Sequence, residues 1–288
     1  MNKIECKICG SKKISKHIKT KDFFLSQEEF VMNKCLNCDF IFTHLPPNKK
    51  EIYKYYESED YLSHNQTKTL ISWCYNIIKK RNLLYKAKII RRYSKSDNLL
   101  DFGCGTGDFI KIMQDKKYNI FGVENNYKAK KISEKITQNI FKEIKEINPK
   151  NKKFDLITFW HSLEHVHDLN SFFKECLEKL NEKGTIVIAL PNNLSHDAKY
   201  YKKHWAAYDV PRHLHHFNKK SMSFFVKNFN LKITKILPLK YDSYFISLMS
   251  EKYKKSNLKM FRAFIRGFLS NLKSNGENHS SLIYIIKK

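Results

Sequence analysis

Apolar runs and charged, helically spaced stretches take turns along this chain. Leu-Leu-Asp-Phe at 99–102, Asn-Ile-Phe-Gly-Val-Glu at 119–124, Phe-Asp-Leu-Ile-Thr-Phe-Trp at 154–160 and Gly-Thr-Ile-Val-Ile-Ala-Leu-Pro at 184–191 read as strands. The last run is apolar almost throughout, the pattern of a strand covered on both faces. A further strand near 139–144 is faint. Helical segments separate these runs, and such alternation predicts a parallel sheet with helices on both sides. Residues 69–93 carry helical spacing through Trp73, Ile77, Leu84 and Ile89. Two more strands, at 231–237 and 281–286, bring the expected total to seven. The 43 residues between them are too many for a hairpin turn. They contain a basic helical stretch, 258–272, which reads as a solvated helix packed by one apolar face. A pocket cap, a dimer surface and a contact with an anionic membrane are its other readings.

The first strand ends in Asp101-Phe-Gly-Cys-Gly-Thr-Gly107. Glycines at 103, 105 and 107 let the backbone turn tightly and approach a ligand. The free amides of the helix that follows suit an acidic or polar ligand edge. The spacing is neither the dinucleotide G-x-G-x-x-G nor a phosphate loop. Glu124 stands 23 positions after Asp101 at the next strand end, near the interval at which nucleotide folds place a ribose-binding acid.

Asp101 to Gly107, together with this downstream pattern, resembles the first motif of class I methyltransferases that use S-adenosylmethionine. The resemblance implies an α/β fold: a Rossmann-like, seven-stranded, mostly parallel sheet whose last strand is antiparallel. It implies cofactor contacts from Asp101, Gly103, Cys104, Gly105, Gly107, Glu124 and Asn125. His161-Ser-Leu-Glu-His-Val166 resembles the family's fourth-strand motif, which puts His161 on the cofactor side as well.

Cys6-x-x-Cys9 and Cys35-x-x-Cys38 form two matched pairs, with Gly10 after the first. Two such knuckles complete a tetrahedral zinc site, and four protein ligands make it structural. Disulfides and an iron–sulfur cluster are the alternatives; the two-by-two spacing favours zinc. Cys74, Cys104 and Cys176 read as packing cysteines. The module and the stretch from Phe40 to Tyr61 resemble the beginnings of bacterial methyltransferases of sugar and polysaccharide pathways. Residues 1–45 are expected to form the zinc module and 46–93, opening on Pro46-Pro47, a linker and N-terminal helices. Residues 94–288 form the methyltransferase domain, with a substrate loop at 192–218 and a helical insertion at 238–280.

The formal charge of +26 ordinarily suggests a polyanion. Only six of the 54 basic residues are arginine, however, and the lysines are scattered, so a diffuse basic surface is the better reading. No apolar run is long enough to span a bilayer, and the first residues lack an apolar leader. A cytoplasmic protein is expected.

The segment His204-Trp-Ala-Ala-Tyr-Asp-Val-Pro-Arg-His-Leu-His-His-Phe217 follows a strand end, where open α/β sheets bind ligands. A similar Pro-Arg-His-Leu-x-His-Phe stretch occurs in the methyltransferases that this chain resembles. A hydroxyl acceptor must lose a proton, and histidine is the natural base at neutral pH. His213 is the first candidate and His216 the second, with His161 and His165 also in reach. Trp205, Tyr208, Arg212 and His213 are expected to bind the acceptor, Arg212 through a phosphate. The expected acceptor is a small molecule or glycan, free or carried on a nucleotide or lipid, and the favoured target is a sugar hydroxyl. An RNA methyltransferase and a non-catalytic binding protein with a cofactor fold are the alternatives.

Overall fold

The computed structural model describes residues 4–56, 70–94, 96–148 and 152–288. Three strands come first: β1 (Ile14–Lys21), β2 (Glu29–Cys35) and β3 (Ile41–Thr43). Helix α1 (Leu70–Tyr93) leads into β4 (Asn98–Phe102), α2 (Asp108–Asp115), β5 (Asn119–Val123), α3 (Tyr127–Ser133) and β6 (Ile140–Phe141). Then follow β7 (Phe154–Trp160), α4 (Leu169–Glu178), β8 (Leu180–Pro191), α5 (His196–Tyr201), β9 (His215–His216) and α6 (Lys219–Lys227). The chain closes with β10 (Lys232–Pro238), α7 (Asp242–Tyr253), α8 (Lys259–Leu272) and β11 (Ser281–Lys287). The stretch at 57–61 and the first residue of the expected 69–93 helix lie outside the described residues.

Seven strands form the large sheet in the order β10-β11-β8-β7-β4-β5-β6. Strand β11 runs antiparallel to both neighbours, β8 and β10, and the other pairings are parallel. This is the seven-stranded architecture that the alternation and the resemblance imply, and the faint strand is the two-residue β6. Both faces are covered. On one, Ile89 and Ile90 of α1 and Ile110 and Met113 of α2 share a cluster with Leu99, Leu156 and Ile283. On the other, Phe173 of α4 and Phe225 of α6 join Leu100, Phe159 and Ile188.

The cysteine-bearing segment merges with this second core, where Cys6, Ile8, Cys35, Cys38 and Phe40 belong to the same cluster. Polar ties add to the packing. Asn228 donates to the carbonyl of Ile8, Asn170 to that of Lys7 and Asn218 to that of Asp39. Strand β3 also pairs with β9, aligning Ile41 with His216 and Phe42 with His215. The small sheet β1-β2-β3-β9 therefore takes its last strand from the histidine-rich segment.

Two features depart from the sequence reading. The insertion holds two helices, and α7 carries no pronounced periodicity by which to find it. Helix α8 was expected to pack by an apolar face, but it buries Ala263, Gly267 and Ser270 and leaves Phe261, Phe264, Phe268 and Leu272 exposed. The reason is steric. A Cβ on Gly267 would stand 2.7 Å from the Tyr244 ring, so only a small-residue face can lie this close to α7.

Candidate active site

The turn after β4 is held from two directions. Gly103 and Cys104 donate their amides to the carbonyl of Val123 at the end of β5. Gly103 adopts φ +71°, and a Cβ there would lie 2.5 Å from Cβ of Ser162, so glycine alone lets the β4 and β7 loops meet. Gly105 differs, because nothing stands within 4 Å of its added Cβ. Its amide donates to Glu124 Oε2 at 2.8 Å, and Asn126 donates to Oε1 at 2.8 Å. Burial raises the Glu124 carboxyl above its ordinary range, against the pull of the Asn126, Gly105 and Asn125 amides. Asn125 is exposed beside it, and Gly107 caps α2 in a left-handed conformation.

A cavity of ≈ 300 Å³ opens beside this turn, lined by Lys86, Asp101, Gly105, Trp160, Tyr241 and Asp242 among others. Asp101 is buried and accepts from Thr158 Oγ1 at 2.7 Å. Burial pushes its carboxyl up to about 7. Lys86 lies over the Trp160 ring at 4.8 Å, and burial lowers its ammonium. The Trp160 Nε1 is buried with no hydrogen-bond partner among the described residues, so it is a polar donor at the cavity wall suited to an acceptor. Cys104 lines the cavity too, with its side chain in the apolar cluster of Phe109 and Ile110.

A chain of acids and histidines runs inward from the cavity. Asp242 Oδ2 lies 2.7 Å from His161 Nε2. His161 Nδ1 is 3.5 Å from Glu164 Oε1, and His213 Nε2 is 3.8 Å from the same oxygen. His161 has φ +57°, a left-handed backbone that costs a non-glycine residue about 1–2 kcal/mol. Burial alone would lower its imidazole, but the Asp242 charge and hydrogen bond, with help from Glu164, raise it to about 9. Both of its nitrogens face carboxylates and it is protonated at neutral pH, which corrects its reading as a free base.

His213 is placed differently. Its Nδ1 lies 2.9 Å from the Ala207 carbonyl, which can only accept, so Nδ1 carries a hydrogen. The Nδ1 of His165 likewise donates to the Arg212 carbonyl at 3.1 Å, and the Tyr56 hydroxyl lies 2.9 Å from it. Burial brings His165 down to about 4, so it is neutral at pH 7. The donor atoms of Glu164, His165 and His213 lie within 4.8 Å of one another. Glu164 is fully buried, and among the described residues neither of its oxygens has a close hydrogen-bond partner. Burial alone would raise its carboxyl, yet His161, His213 and His165 hold it below the ordinary value.

Much of the histidine-rich segment serves the fold. Arg212 was expected to grip a substrate phosphate, but it is 1% exposed and every donor is taken. Nε and Nη2 reach Asp209 at 2.9 and 2.6 Å, Nη2 and Nη1 reach Asp22 at 2.8 and 3.4 Å, and Nη1 reaches the Tyr55 carbonyl at 3.0 Å. Trp205 is 2% exposed and donates to Asp197 at 2.9 Å. Tyr208 is buried between the Trp205 and His216 rings. Neither is open to an acceptor. His216, expected as the second base, is buried in β9, and burial lowers its imidazole far below 6.5, so it resists protonation.

The four cysteines of the N-terminal module come together as their spacing predicts. Their sulfurs lie within 4.8 Å of one another, with Cys6 to Cys38 at 3.6 Å and Cys9 to Cys35 at 3.5 Å. A tetrahedron with Zn–S bonds of about 2.3 Å has edges of about 3.8 Å, close to this set. The knuckles share one turn: Gly10 donates to the Cys6 carbonyl at φ +68°, and Asp39 to the Cys35 carbonyl at φ +60°. Aspartate tolerates this conformation better than most residues, so the second knuckle dispenses with glycine.

Sequence reasoning missed Asp242, Lys86 and Trp160 as lining residues. No local signal marks Asp242, which meets His161 across 81 positions.

A family model described as a methyltransferase domain matches residues 77–236. The ubiquinone biosynthesis O-methyltransferase of Pelagibacter ubique is 31% identical over 125 residues, or 41% of this chain and 50% of that protein. The chain thus spans about half the length of the curated relative it matches. Magnesium protoporphyrin IX methyltransferase from Synechocystis PCC 6803, solved with bound SAH, superposes with a TM-score of 0.54 at 8% identity, covering 84% of this chain and all of that one. Mycolic acid cyclopropane synthase, solved with SAH and CTAB, gives 0.51 at 11% identity over 71% of this chain and 84% of its own. At such identities the superpositions show a shared fold.

Proposed function

This chain belongs to the methyltransferase-domain family, and from that premise we propose that it methylates a hydroxyl of a small-molecule or glycan acceptor, with S-adenosylmethionine as donor. The observation that carries the reading is the glycine turn beside the ≈ 300 Å³ cavity, open at Gly105 and packed at Gly103. Asp101, the Gly103–Gly107 backbone, Glu124 and the Trp160 Nε1 would hold the cofactor. When bound, it supplies an activated methyl group on a sulfonium.

The protein's own task is to orient the acceptor and take up its proton. His213 is the base in this reading. The Ala207 carbonyl fixes its tautomer, and Nε2 faces Glu164, whose charge stabilises the imidazolium that forms. His161 is a positioning residue that ties Glu164 to Asp242 at the cavity wall. A divalent cation held by Glu164, His165 and His213 is the second reading, favoured by the closeness of their donor atoms. Activity restored by magnesium or manganese after chelation would select it over proton transfer.

The four cysteines hold structural zinc in this proposal. The donor set leaves no open position, so the metal joins the two knuckles and takes no part in catalysis.

The first experiment is calorimetric titration of zinc-replete protein with S-adenosylhomocysteine, with Glu124→Ala as control. Binding that the substitution weakens supports the cofactor site, and no binding to folded protein refutes it. Nucleotide-sugars are then screened before RNA. A steep salt-dependent affinity for RNA, together with its methylation, would overturn the assignment of the acceptor.

A further inference from the structure

Helix α8 turns its large apolar side chains outward. Phe261 is 65% exposed, Phe264 63%, Phe268 51% and Leu272 65%, and Leu258 just before the helix is 77% exposed. Ala263, Gly267 and Ser270 on the opposite side are buried, and Ser270 donates to Asp197 at 2.8 Å. At 3.6 residues per turn the exposed phenylalanines form one continuous face. Lys259, Arg262, Arg266 and Lys273 fall together along one flank of it. Between 252 and 273 the chain carries seven basic residues and no acidic one. Arg266 lies 3.8 Å from the centre of the Tyr200 ring, which holds part of this charge in place. A soluble surface rarely shows a clustered apolar face of this kind without a partner.

We propose that α8 is a membrane-docking helix that inserts its phenylalanine face into an anionic phospholipid surface. The observation that selects this occupant is the charge. Basic side chains beside an apolar helix face meet lipid phosphates while the rings enter the acyl boundary. A second copy of the chain fits less well, since antiparallel two-fold pairing of this face would bring the two basic flanks together. No helix among the described residues is long and apolar enough to cross a membrane, so docking would be interfacial. Helix α7 links this face to the cavity. Its Tyr244 stacks on Phe264 at 5.6 Å, and the next residue, Phe245, lines the cavity. The docking itself does not depend on which acceptor is methylated.

The test is co-sedimentation of the full chain with phosphatidylcholine vesicles, with and without phosphatidylglycerol. The wild-type chain is expected to bind the anionic vesicles in preference, and added salt should weaken the binding. Phe261→Ser/Phe264→Ser/Phe268→Ser should lower affinity at least about tenfold, because each ring contributes buried apolar area. Lys259→Glu should lower it less. The single variant Phe261→Ser serves if the triple variant unfolds, and thermal midpoints verify folding. Vesicle binding unchanged in folded variants would overturn the proposal. So would no binding by wild type, including the case where the phenylalanines instead hold a dimer seen by analytical ultracentrifugation.

Discussion

Arg212→Lys separates a structural from a substrate-binding arginine. The guanidinium makes five contacts, to both oxygens of Asp209, both oxygens of Asp22 and the Tyr55 carbonyl. A lysine ammonium has three donors, no planar fork and a shorter reach, so it can satisfy one carboxylate and leaves the other without its cation. Asp22 is 1% exposed, and among the described residues the amides of Phe24, Leu25 and Ser26 would remain as its donors. Removing one partner of a buried ion pair costs about 3–5 kcal/mol. Lysine keeps part of the attraction, so about 2–4 kcal/mol is expected, with the upper range reached by Arg212→Met. In a domain of this size each kcal/mol moves the midpoint by about 2–4 °C, so the lysine variant should melt roughly 5–15 °C lower. Thermal denaturation followed by circular dichroism measures the shift. Combining Arg212→Met with Asp22→Asn should cost less than the sum of the two, since neither change then strands the other's charge. A variant that melts within about 2 °C of wild type while its acceptor KM rises would refute the cage and restore the phosphate-binding role.

Further consequences can be measured separately. Gly103→Ala should destabilise by about 2–4 kcal/mol, from a clash with Ser162 added to a strained φ, whereas Gly105→Ala should lose only about 1 kcal/mol of stability yet weaken S-adenosylhomocysteine binding more; equal effects in urea unfolding and calorimetry would contradict the open cradle. Metal analysis should find one zinc per chain, lost in Cys6→Ser and Cys35→Ser along with stability; full occupancy in either variant would remove the cysteine site. His161 has a raised pKa, so its contribution is complete below pH 6.5 and is lost as pH climbs through about 9. With a side chain 28% exposed, it should supply no more than about 3 kcal/mol. His161→Gln should flatten the fall in stability between pH 6.5 and 9, and an unchanged slope would mean that the Asp242 contact does not hold the proton.

What the sequence determined by itself is what local pattern encodes. Most strands of the large sheet are legible as apolar runs, and a run buried on both faces declares its own burial; β6, only two residues long, is faint, and β10 carries lysines between its apolar residues. The glycine turn is legible because Gly103 needs a left-handed φ and a Cβ-free surface. The cysteine pairs are legible because two residues between the thiols put both on one turn. The order β10-β11-β8-β7-β4-β5-β6 was not legible, since apolar periodicity carries no information about which strands adjoin and the resemblance implied only seven strands with the last antiparallel.

Partnership was decided by the tertiary structure. A histidine-rich segment announces chemical capacity, yet the same side chains can face a ligand or bind one another. Arg212 finds Asp22 across 190 positions and becomes a rivet between the small sheet and the loop. His215 and His216 become a strand because β3 offers an unpaired edge. His161 holds its proton because it faces the Asp242 carboxylate, on a helix that periodicity did not reveal. Helix α8 shows the limit most clearly. Amphipathic spacing tells which residues share a face, and only the close approach of Gly267 to Tyr244 decides that the small side chains go in and the phenylalanines stay out. Contacts between distant segments depend on shape and charge summed over the whole fold, which no local stretch of sequence contains.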